Sequence, residues 1–173
     1  LQGDGVQAFA QNGLHVRLLL PGLTIAGSEP AWPTVMEDGR LQWPVGQARL
    51  ARRTYTLSAV HVDDEWVEVD ALLHHTAGKH GRNAAPGADW AEQALVGSHV
   101  GVLSPAGGLL PQAARCVLVA DACAMPAAAR IVQAQQSAQP VKVLLWVADK
   151  EERTAWRACA QQAQISWLHG GLP

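Results

Sequence analysis

The sequence is poor in the residue types that would assign it to several large classes of protein. Its 173 residues include one tyrosine, one phenylalanine and three cysteines, and only 16% of the residues are charged. The cysteines, Cys116, Cys123 and Cys159, have neither CxxC spacing nor an even count. This argues against a disulfide framework or a zinc site and favours reduced thiols in the cytoplasm. The formal net charge of −2 provides no overall attraction to nucleic acid or to an anionic membrane.

Long apolar segments are also missing. No uninterrupted apolar run approaches the roughly 20 residues that a membrane-spanning helix needs. The first ten residues, LQGDGVQAFA, lack the basic and then apolar pattern of a signal peptide. We therefore predict a cytoplasmic protein with no membrane span. The sequence does not begin with methionine, which predicts either a processed chain or a fragment.

Residues 1–111 favour short strands joined by polar or glycine-containing turns. The predicted elements are strands at LHVRLLLPG (14–22), ARRTYTLSAV (51–60), WVEVDALLH (66–74) and HVGVLSPAGG (99–108), a short helix at ADWAEQAL (88–95) and a long surface excursion over 23–50. The acidic turn DDE (63–65), followed by alternating polar and apolar residues, indicates an antiparallel hairpin. The first part of the chain is therefore predicted to be a small β-barrel or sandwich.

Residues 112–173 alternate strands with helices instead. Strands with continuous apolar centres are expected at RCVLVAD (115–121), VKVLLWVAD (141–149) and ISWL (165–168), and helices at 122–136 and 150–163. This order predicts a parallel α/β domain with right-handed crossovers, its first two strands buried on both faces and Trp146, Trp156 and Trp167 in its core. Ligands bind beyond the carboxyl ends of such strands, where Asp121 and Asp149 lie.

The stretch RRTYTLS (52–58) contains the only tyrosine of the chain. On a strand, Arg53, Tyr55 and Leu57 would share one face. An arginine can bind phosphate bidentately, a tyrosine ring can lie against a flat heterocycle, and the Thr56 hydroxyl can reach a ring nitrogen. These features suit a flavin dinucleotide. Taken alone, however, the four residues RxYT favour an ordinary barrel strand with an exposed arginine and a half-buried tyrosine.

Four stretches together change that interpretation. They are HVRLLLP (15–21), RTYTLS (53–58), VDALLHH with GADWA (69–75 and 87–91), and LVADACAMPAAARI (118–131). Similar motifs follow in the same order in siderophore-interacting proteins, a family of FAD-dependent ferric-siderophore reductases with a ferredoxin-reductase-like fold, which the chain resembles over residues 15–131. The resemblance implies an FAD-binding β-barrel domain (1–111) and a small NAD(P)-binding-like α/β domain (112–173). It also implies that the chain is truncated at both ends relative to the family.

The resemblance further implies roles for individual residues. Arg53 would bind an FAD phosphate, whereas Tyr55 and Thr56 would contact the isoalloxazine and act as the catalytic, flavin-tuning residues. The remaining residues expected to bind FAD are Leu73, His74, Gly87, Ala88, Trp90, Ala91 and Asp121. Lys79 and Arg82 would attract a negatively charged ferric siderophore, although the residues taken alone favour an ordinary solvated loop.

The chain departs from the motifs of the family at three places. Ser58 stands where the family usually has arginine, and Asp89 brings negative charge to a helix start that would bind pyrophosphate. The turn DACAMP (121–126) has Cys123 where a hydroxyl is usual. Asp89, the neighbouring Ala88 and the DACAMP turn favour an alternative, in which the chain is a binding protein that kept the fold and lost flavin or turnover.

Several other side chains allow two interpretations. His74, His75 and His80 match no common metal-ligand spacing, and we expect structural or exposed roles and no metal site. Cys123 would be either a reactive thiol at a helix start or, as we favour, a small buried apolar residue. Asp121 would hold an incoming ligand, cap the helix that follows, or do both.

The sequence thus predicts a cytoplasmic FAD-dependent oxidoreductase that reduces ferric siderophores and releases iron as Fe(II). NAD(P)H or ferredoxin would be the electron donor, and no nucleic acid is expected as a partner. Two alternatives stay open: the non-catalytic binding protein of the same fold, and a flavin or ferredoxin reductase without a siderophore role.

Overall fold

The computed structural model describes residues 1–2, 5–11, 13–21, 30–45, 50–73, 86–106, 113–135, 140–156 and 162–170. The chain divides into two compact units. One unit comprises Leu1–Val16, Tyr55–Leu72 and Ser104–Pro173, and the other comprises Arg17–Thr54 and Leu73–Leu103. Among the described residues, no helix has the length and apolar character needed to cross a membrane.

Nine strands and three α-helices are assigned in the described part of the chain. In order they are α1 (Gln7–Gln11), β1 (His15–Leu20), β2 (Thr34–Val35), β3 (Leu41–Gln42), β4 (Ala51–His61), β5 (Trp66–Val69), α2 (Pro86–Gln93), β6 (Gly101–Ala106), β7 (Val117–Asp121), α3 (Met125–Ala134), β8 (Val141–Val147) and β9 (Ala163–His169). Two 3-10 helices, Ala122–Ala124 and Glu151–Ala155, precede α3 and β9 respectively.

The strands of the first part form a curled antiparallel sheet of four strands in the order β5-β4-β1-β6. The predicted hairpin is confirmed, because β4 pairs antiparallel with β5, with a register irregularity between Leu57 and Ala59. The His61 ring stacks on the opposing Trp66 ring at 3.7 Å between centroids, as a favourable cross-strand pair. Leu57 is fully buried, so β4 contributes to the core as well as to the surface.

The second part contains the expected parallel sheet, with strand order β7-β8-β9. Alternate residues of the central strand β8, from Val141 to Val147, are buried on one face. On this face they join a cluster with the apolar side of α3, which consists of Met125, Ala128, Ala129 and Val132. The period-2 pattern of β8 and the helical spacing in α3 therefore bury one continuous apolar layer.

Two expectations for this sheet were wrong. Neither β7 nor β8 is buried on both faces. Val117 and Val119 of β7 are 62% and 75% exposed, and on the second face of β8 Lys142 is exposed while Leu144 and Trp146 are half-buried. Of the helix expected over 150–163, the described residues form only the short 3-10 helix, and Ala163 already belongs to β9.

Local hydrogen bonds explain why this second crossover starts as a tight turn. The Glu152 N–H donates to the Asp149 carboxylate at 3.0 Å, and the Ala148 N–H donates to the Glu152 carboxylate at 2.8 Å. Such side-chain bonds compete with the helical backbone ladder. The tryptophan that follows, Trp156, is extended at ψ 120°.

The tryptophans of this part are only half-buried, and two of the three lie against the predicted core. Trp156 and Trp167 pack against the apolar cluster, whereas Trp146 projects from the other face of β8 and donates its indole N–H to the Gly170 carbonyl. The expectation of a core position was therefore wrong for Trp146.

The excursion expected over 23–50 contains a small hairpin of β2 and β3 that the sequence did not reveal. The Met36 N–H donates to the Arg40 carbonyl at 2.8 Å, and the Gly39 N–H donates to the Met36 carbonyl at the same distance. Gly39 has φ +78°, a left-handed conformation that glycine adopts without steric cost. Strands of two residues are too short to show an alternating pattern.

Candidate functional site

The side chains of β4 change from exposed to buried along the strand. Arg53 is exposed, Tyr55 is half-buried and Leu57 is buried, and as alternate residues of one strand they lie on one face. The strand therefore carries a positive charge near its beginning and an aromatic ring further in. This gradation suits an extended ligand with a charged end and a flat, less polar end.

The two neighbouring arginines of β4 have different contacts. The Arg52 guanidinium lies over the Trp43 ring, 5.9 Å from its centroid, in a cation–π arrangement. Arg53 donates from Nη1 to the Arg52 carbonyl at 2.7 Å. No carboxylate within the described ranges pairs with Arg53. The Arg53 guanidinium thus retains donors for an anionic ligand.

The polar residues between these positions are tied to other segments. Thr56 Oγ1 lies 3.2 Å from Nδ1 of His15, and both residues are half-buried. Ser58 donates from Oγ to the Asp70 carboxylate at 3.3 Å. The serine that replaces the usual arginine therefore makes a contact to the segment after β5. The sequence did not indicate that His15 belongs to the site.

Helix α2 contains four of the predicted FAD-binding residues. It begins at Pro86, a favourable residue for the first helical turn, and Gly87 is buried. Ala88, Trp90 and Ala91 are half-buried. The carboxylate of Asp89 lies in the first turn, where it stabilises the helix but opposes a phosphate. Leu73, which follows the β5 strand, is 42% exposed.

Asp121 lies at the carboxyl end of β7 and caps the 3-10 helix that follows. Its carboxylate accepts a hydrogen bond from the Ala124 N–H at 3.0 Å, which is the capping geometry considered for this residue. Cys123 is exposed, so the expectation that it is a small buried apolar residue was wrong. Desolvation of its sulfur, and then the charges of Asp121 and Glu152, raise the pKa of the Cys123 thiol. A reactive thiolate is therefore disfavoured as well.

The predicted site residues fall into separate groups in the described structure. Tyr55, Thr56 and Asp121 belong to one unit, whereas the other unit contains Arg53, Leu73, Gly87, Ala88, Trp90 and Ala91. His74, Lys79 and Arg82, as well as His75 and His80, lie outside the described residues. Within the described ranges, no three His, Cys, Asp or Glu side chains are grouped to hold a metal ion.

The chemistry of β4 fits FAD better than that of α2 does. Arg53 offers guanidinium donors for a phosphate, Tyr55 a partly exposed ring, and Thr56 a hydroxyl. These are the three types of contact that a flavin dinucleotide needs. The start of α2 offers backbone N–H groups but also the Asp89 carboxylate. The β4 residues are therefore the main candidates to hold the cofactor.

Comparison with known proteins identifies relatives of both parts of the chain. A family model described as the siderophore-interacting FAD-binding domain matches residues 1–109, and one described as siderophore-interacting protein matches residues 113–173. The ferric vibriobactin reductase ViuB of Vibrio cholerae is 26% identical over 172 residues, which cover 97% of this chain and 59% of ViuB. The mycobactin import ATP-binding/permease protein IrtA of Mycolicibacterium smegmatis is 27% identical over 166 residues, which cover 94% of this chain and 18% of IrtA.

Solved structures agree with this comparison. A siderophore utilization protein from T. fusca superposes with a TM-score of 0.70 at 28% identity, over 100% of this chain and 60% of that one. The siderophore-interacting protein from Acinetobacter baumannii has a TM-score of 0.64 at 17% identity, over 98% and 59% of the two chains. The predicted fold class, a β-barrel of the FAD-binding type followed by a parallel α/β sheet, is confirmed. The chain spans about three-fifths of the length of ViuB and of these two structures.

Proposed function

Because the chain belongs to the siderophore-interacting protein family, we propose that it binds FAD and reduces ferric siderophores in the cytoplasm. The observation that carries the proposal is the β4 strand, on which an exposed arginine without a carboxylate partner among the described residues precedes a half-buried tyrosine and a threonine hydroxyl. The relative named ferric vibriobactin reductase supports the reductase activity. We also propose that the chain divides into an FAD-binding domain of residues 1–111 and an α/β domain of residues 112–173.

In this proposal each β4 residue has a distinct task. Arg53 binds a phosphate of FAD through its guanidinium, and Tyr55 covers one face of the isoalloxazine. Thr56 hydrogen-bonds the redox-active ring nitrogen, so that Tyr55 and Thr56 are the residues that tune the cofactor. Leu73 and His74 would lie along the ring, and the α2 residues Gly87, Ala88, Trp90 and Ala91 would face the phosphates.

The bound flavin would supply the electrons that convert Fe(III) to Fe(II), and the weaker ferrous chelate would release its iron. The protein positions both partners and needs no acid or base of its own for this step. Asp121 would face the flavin from the second domain, and Lys79 and Arg82 would attract the anionic ferric chelate. NAD(P)H or ferredoxin would be the source of electrons.

A second candidate function rests on one specific observation. The Asp89 carboxylate in the first turn of α2 opposes phosphate binding. The chain would then be a binding protein that keeps the fold and has lost flavin or turnover. A flavin or ferredoxin reductase without a siderophore role is the third candidate, and the comparisons with siderophore-related proteins make it less attractive.

The deciding experiment has two stages. The purified protein is first mixed with FAD, separated from free cofactor, and measured for stoichiometric flavin absorption. The loaded protein is then reduced photochemically under anaerobic conditions and mixed with a ferric catecholate or ferric hydroxamate siderophore. A ferrous-specific chelator follows the released Fe(II), and the recovery of the oxidised flavin spectrum follows the electrons.

We expect one flavin per chain, and two Fe(II) for each reduced flavin that is reoxidised. A protein that takes up no FAD would support the binding-protein alternative. Flavin uptake without reoxidation by any ferric siderophore, but with rapid reoxidation by free flavin or ferredoxin, would support the third candidate. The Tyr55→Ala variant serves as the control for specific binding, because the altered ring contact should shift the flavin spectrum or weaken uptake.

A further inference from the structure

His15 is a polar side chain at the start of an otherwise largely apolar strand. The strand β1 reads HVRLLL, and four of its six residues are buried, whereas His15 is half-buried. Its Nδ1 lies 3.2 Å from Thr56 Oγ1. The Leu57 N–H donates to the Leu14 carbonyl at 3.0 Å, so a backbone hydrogen bond between the adjacent residues holds the two segments together at this point.

The contact between an imidazole and a hydroxyl can run in either direction. When Nδ1 carries no proton, it accepts the hydrogen of Thr56, and the hydroxyl oxygen can then only accept elsewhere. When Nδ1 carries the proton, it donates to the Thr56 oxygen, and the hydroxyl hydrogen becomes available to another acceptor. The tautomer of His15 therefore determines what Thr56 can offer to a ligand.

We propose that His15 is a positioning residue that holds the Thr56 hydroxyl and lets it act as donor or acceptor toward the flavin. This inference rests on the proposed function, in which Thr56 meets the redox-active ring nitrogen. That nitrogen accepts a hydrogen bond in the oxidised cofactor and carries a hydrogen to donate in the reduced one. A His15–Thr56 hydrogen bond that can reverse its direction suits both the oxidised and the reduced cofactor, whereas a hydroxyl with one fixed direction suits only one of them.

A purely structural role of the same contact makes a different prediction. If the hydrogen bond only ties β1 to β4, its loss lowers stability and leaves the affinity for FAD unchanged once the protein is folded. If His15 orients Thr56 toward the flavin, loss of the His15 imidazole weakens FAD binding only when the Thr56 hydroxyl is present. A double-mutant cycle between His15 and Thr56 separates the two roles.

The cycle uses His15→Phe, Thr56→Val and the double variant, with dissociation constants for FAD measured by quenching of flavin fluorescence. We expect each single change to weaken binding by about fivefold, the value of one ordinary hydrogen bond, and the double variant to be no weaker than Thr56→Val alone. His15→Asn should bind within about twofold of the wild type, because a carboxamide also offers either a donor or an acceptor. His61→Phe is the matched control, since His61 is another half-buried histidine whose described contacts are Trp66 and Glu68.

A second measurement needs no variant. The imidazole ¹⁵N resonances of wild-type protein labelled at histidine should show a shift of the His15 Nδ1 signal when FAD is added, and a further shift when the cofactor is reduced. The inference is wrong if the wild type binds FAD while this signal stays unchanged, or if the effects of His15→Phe and Thr56→Val add in full. A wild-type protein that takes up no FAD would overturn the proposed function together with this inference.

Discussion

At the scale of single residues, the adjacent arginines of β4 have the same side chain but different contacts. Arg52 lies over the Trp43 ring, whereas Arg53 has only a carbonyl contact within the described residues. Stacking anchors the Arg52 guanidinium at the Trp43 ring, whereas Arg53 matches the arginine of the R-x-Y-T motif and can bind phosphate bidentately. We therefore assign the phosphate contact to Arg53.

The expected result is that Arg53→Ala weakens FAD binding by about ten- to a hundredfold, because it removes hydrogen bonds to a charged group. Arg52→Ala, the matched control, should change the affinity by less than about threefold while lowering stability slightly through the lost contact with Trp43. Titration of each variant with FAD by calorimetry measures the difference. Equal losses in the two variants would refute the assignment.

Cys123 provides a prediction about pH at the same scale. Desolvation, followed by the charges of Asp121 and Glu152, holds the pKa of its thiol above the ordinary value, so little thiolate exists at neutral pH. Asp121→Asn keeps an oxygen for the helix cap but removes one of these charges. The pKa should therefore fall part of the way, since desolvation is the largest cause and remains.

The measurement is the rate of alkylation by iodoacetamide as a function of pH, followed by mass spectrometry of the peptide that contains Cys123. Asp121→Asn should shift the profile to lower pH and raise the rate at pH 7. Glu151→Gln removes an acid that is adjacent to Glu152 in the sequence and is not among the causes of the raised pKa, and its profile should match that of the wild type. A slower or unchanged rate in Asp121→Asn would contradict the electrostatic account.

At the scale of secondary structure, sequence patterns predicted most strands but not the two-residue strands β2 and β3. The β-prone residues of β4, the alternation in β5 and the apolar centre of β8 gave strands where expected. The exposed face of β7 could not be inferred, because a continuous apolar run is typical of a strand covered on both faces. The 3-10 helix Glu151–Ala155 stands where the sequence predicted the start of an α-helix, and it is accompanied by two side-chain hydrogen bonds, of Asp149 and Glu152, that no periodicity reveals.

The contact between β6 and its neighbours depends on a residue without a side chain. A Cβ added to Gly101 would lie 2.9 Å from Cζ3 of Trp32 and 3.0 Å from Cβ of Leu19. Gly101→Ala should therefore lower the free energy of unfolding by about 1–3 kcal/mol through overpacking. Urea unfolding followed by tryptophan fluorescence measures this loss.

The indole ring provides the control for this prediction. In a Trp32→Leu background the same change at Gly101 should cost less, because the closest atom has been removed, although the Leu19 contact remains. A Gly101→Ala protein as stable as the wild type would show that the strand moves to accept the extra carbon.

At the scale of the whole molecule, the family followed from the order of four motifs along the chain, each of them only moderately specific alone. The fold class was therefore predictable, and so was the β4 strand as a candidate cofactor strand. The contact of His15 with Thr56 was not, because the two residues are 41 positions apart and their proximity depends on how the strands are arranged. Sequence similarity revealed the motif HVRLLLP without indicating what its histidine contacts.

If the β4 residues hold FAD in the folded protein, the cofactor must stabilise the whole chain against unfolding. Free FAD at a hundred times its dissociation constant would add about 2.7 kcal/mol, since only the folded state binds it. For a chain of 173 residues this corresponds to a rise of roughly 5–10 °C in Tm. Scanning calorimetry with and without FAD measures the rise. Riboflavin, which has no phosphate for Arg53, should give a smaller rise at equal concentration, and Arg53→Ala should reduce the difference between the two ligands. Equal Tm values with and without FAD would show that the folded chain does not hold this cofactor.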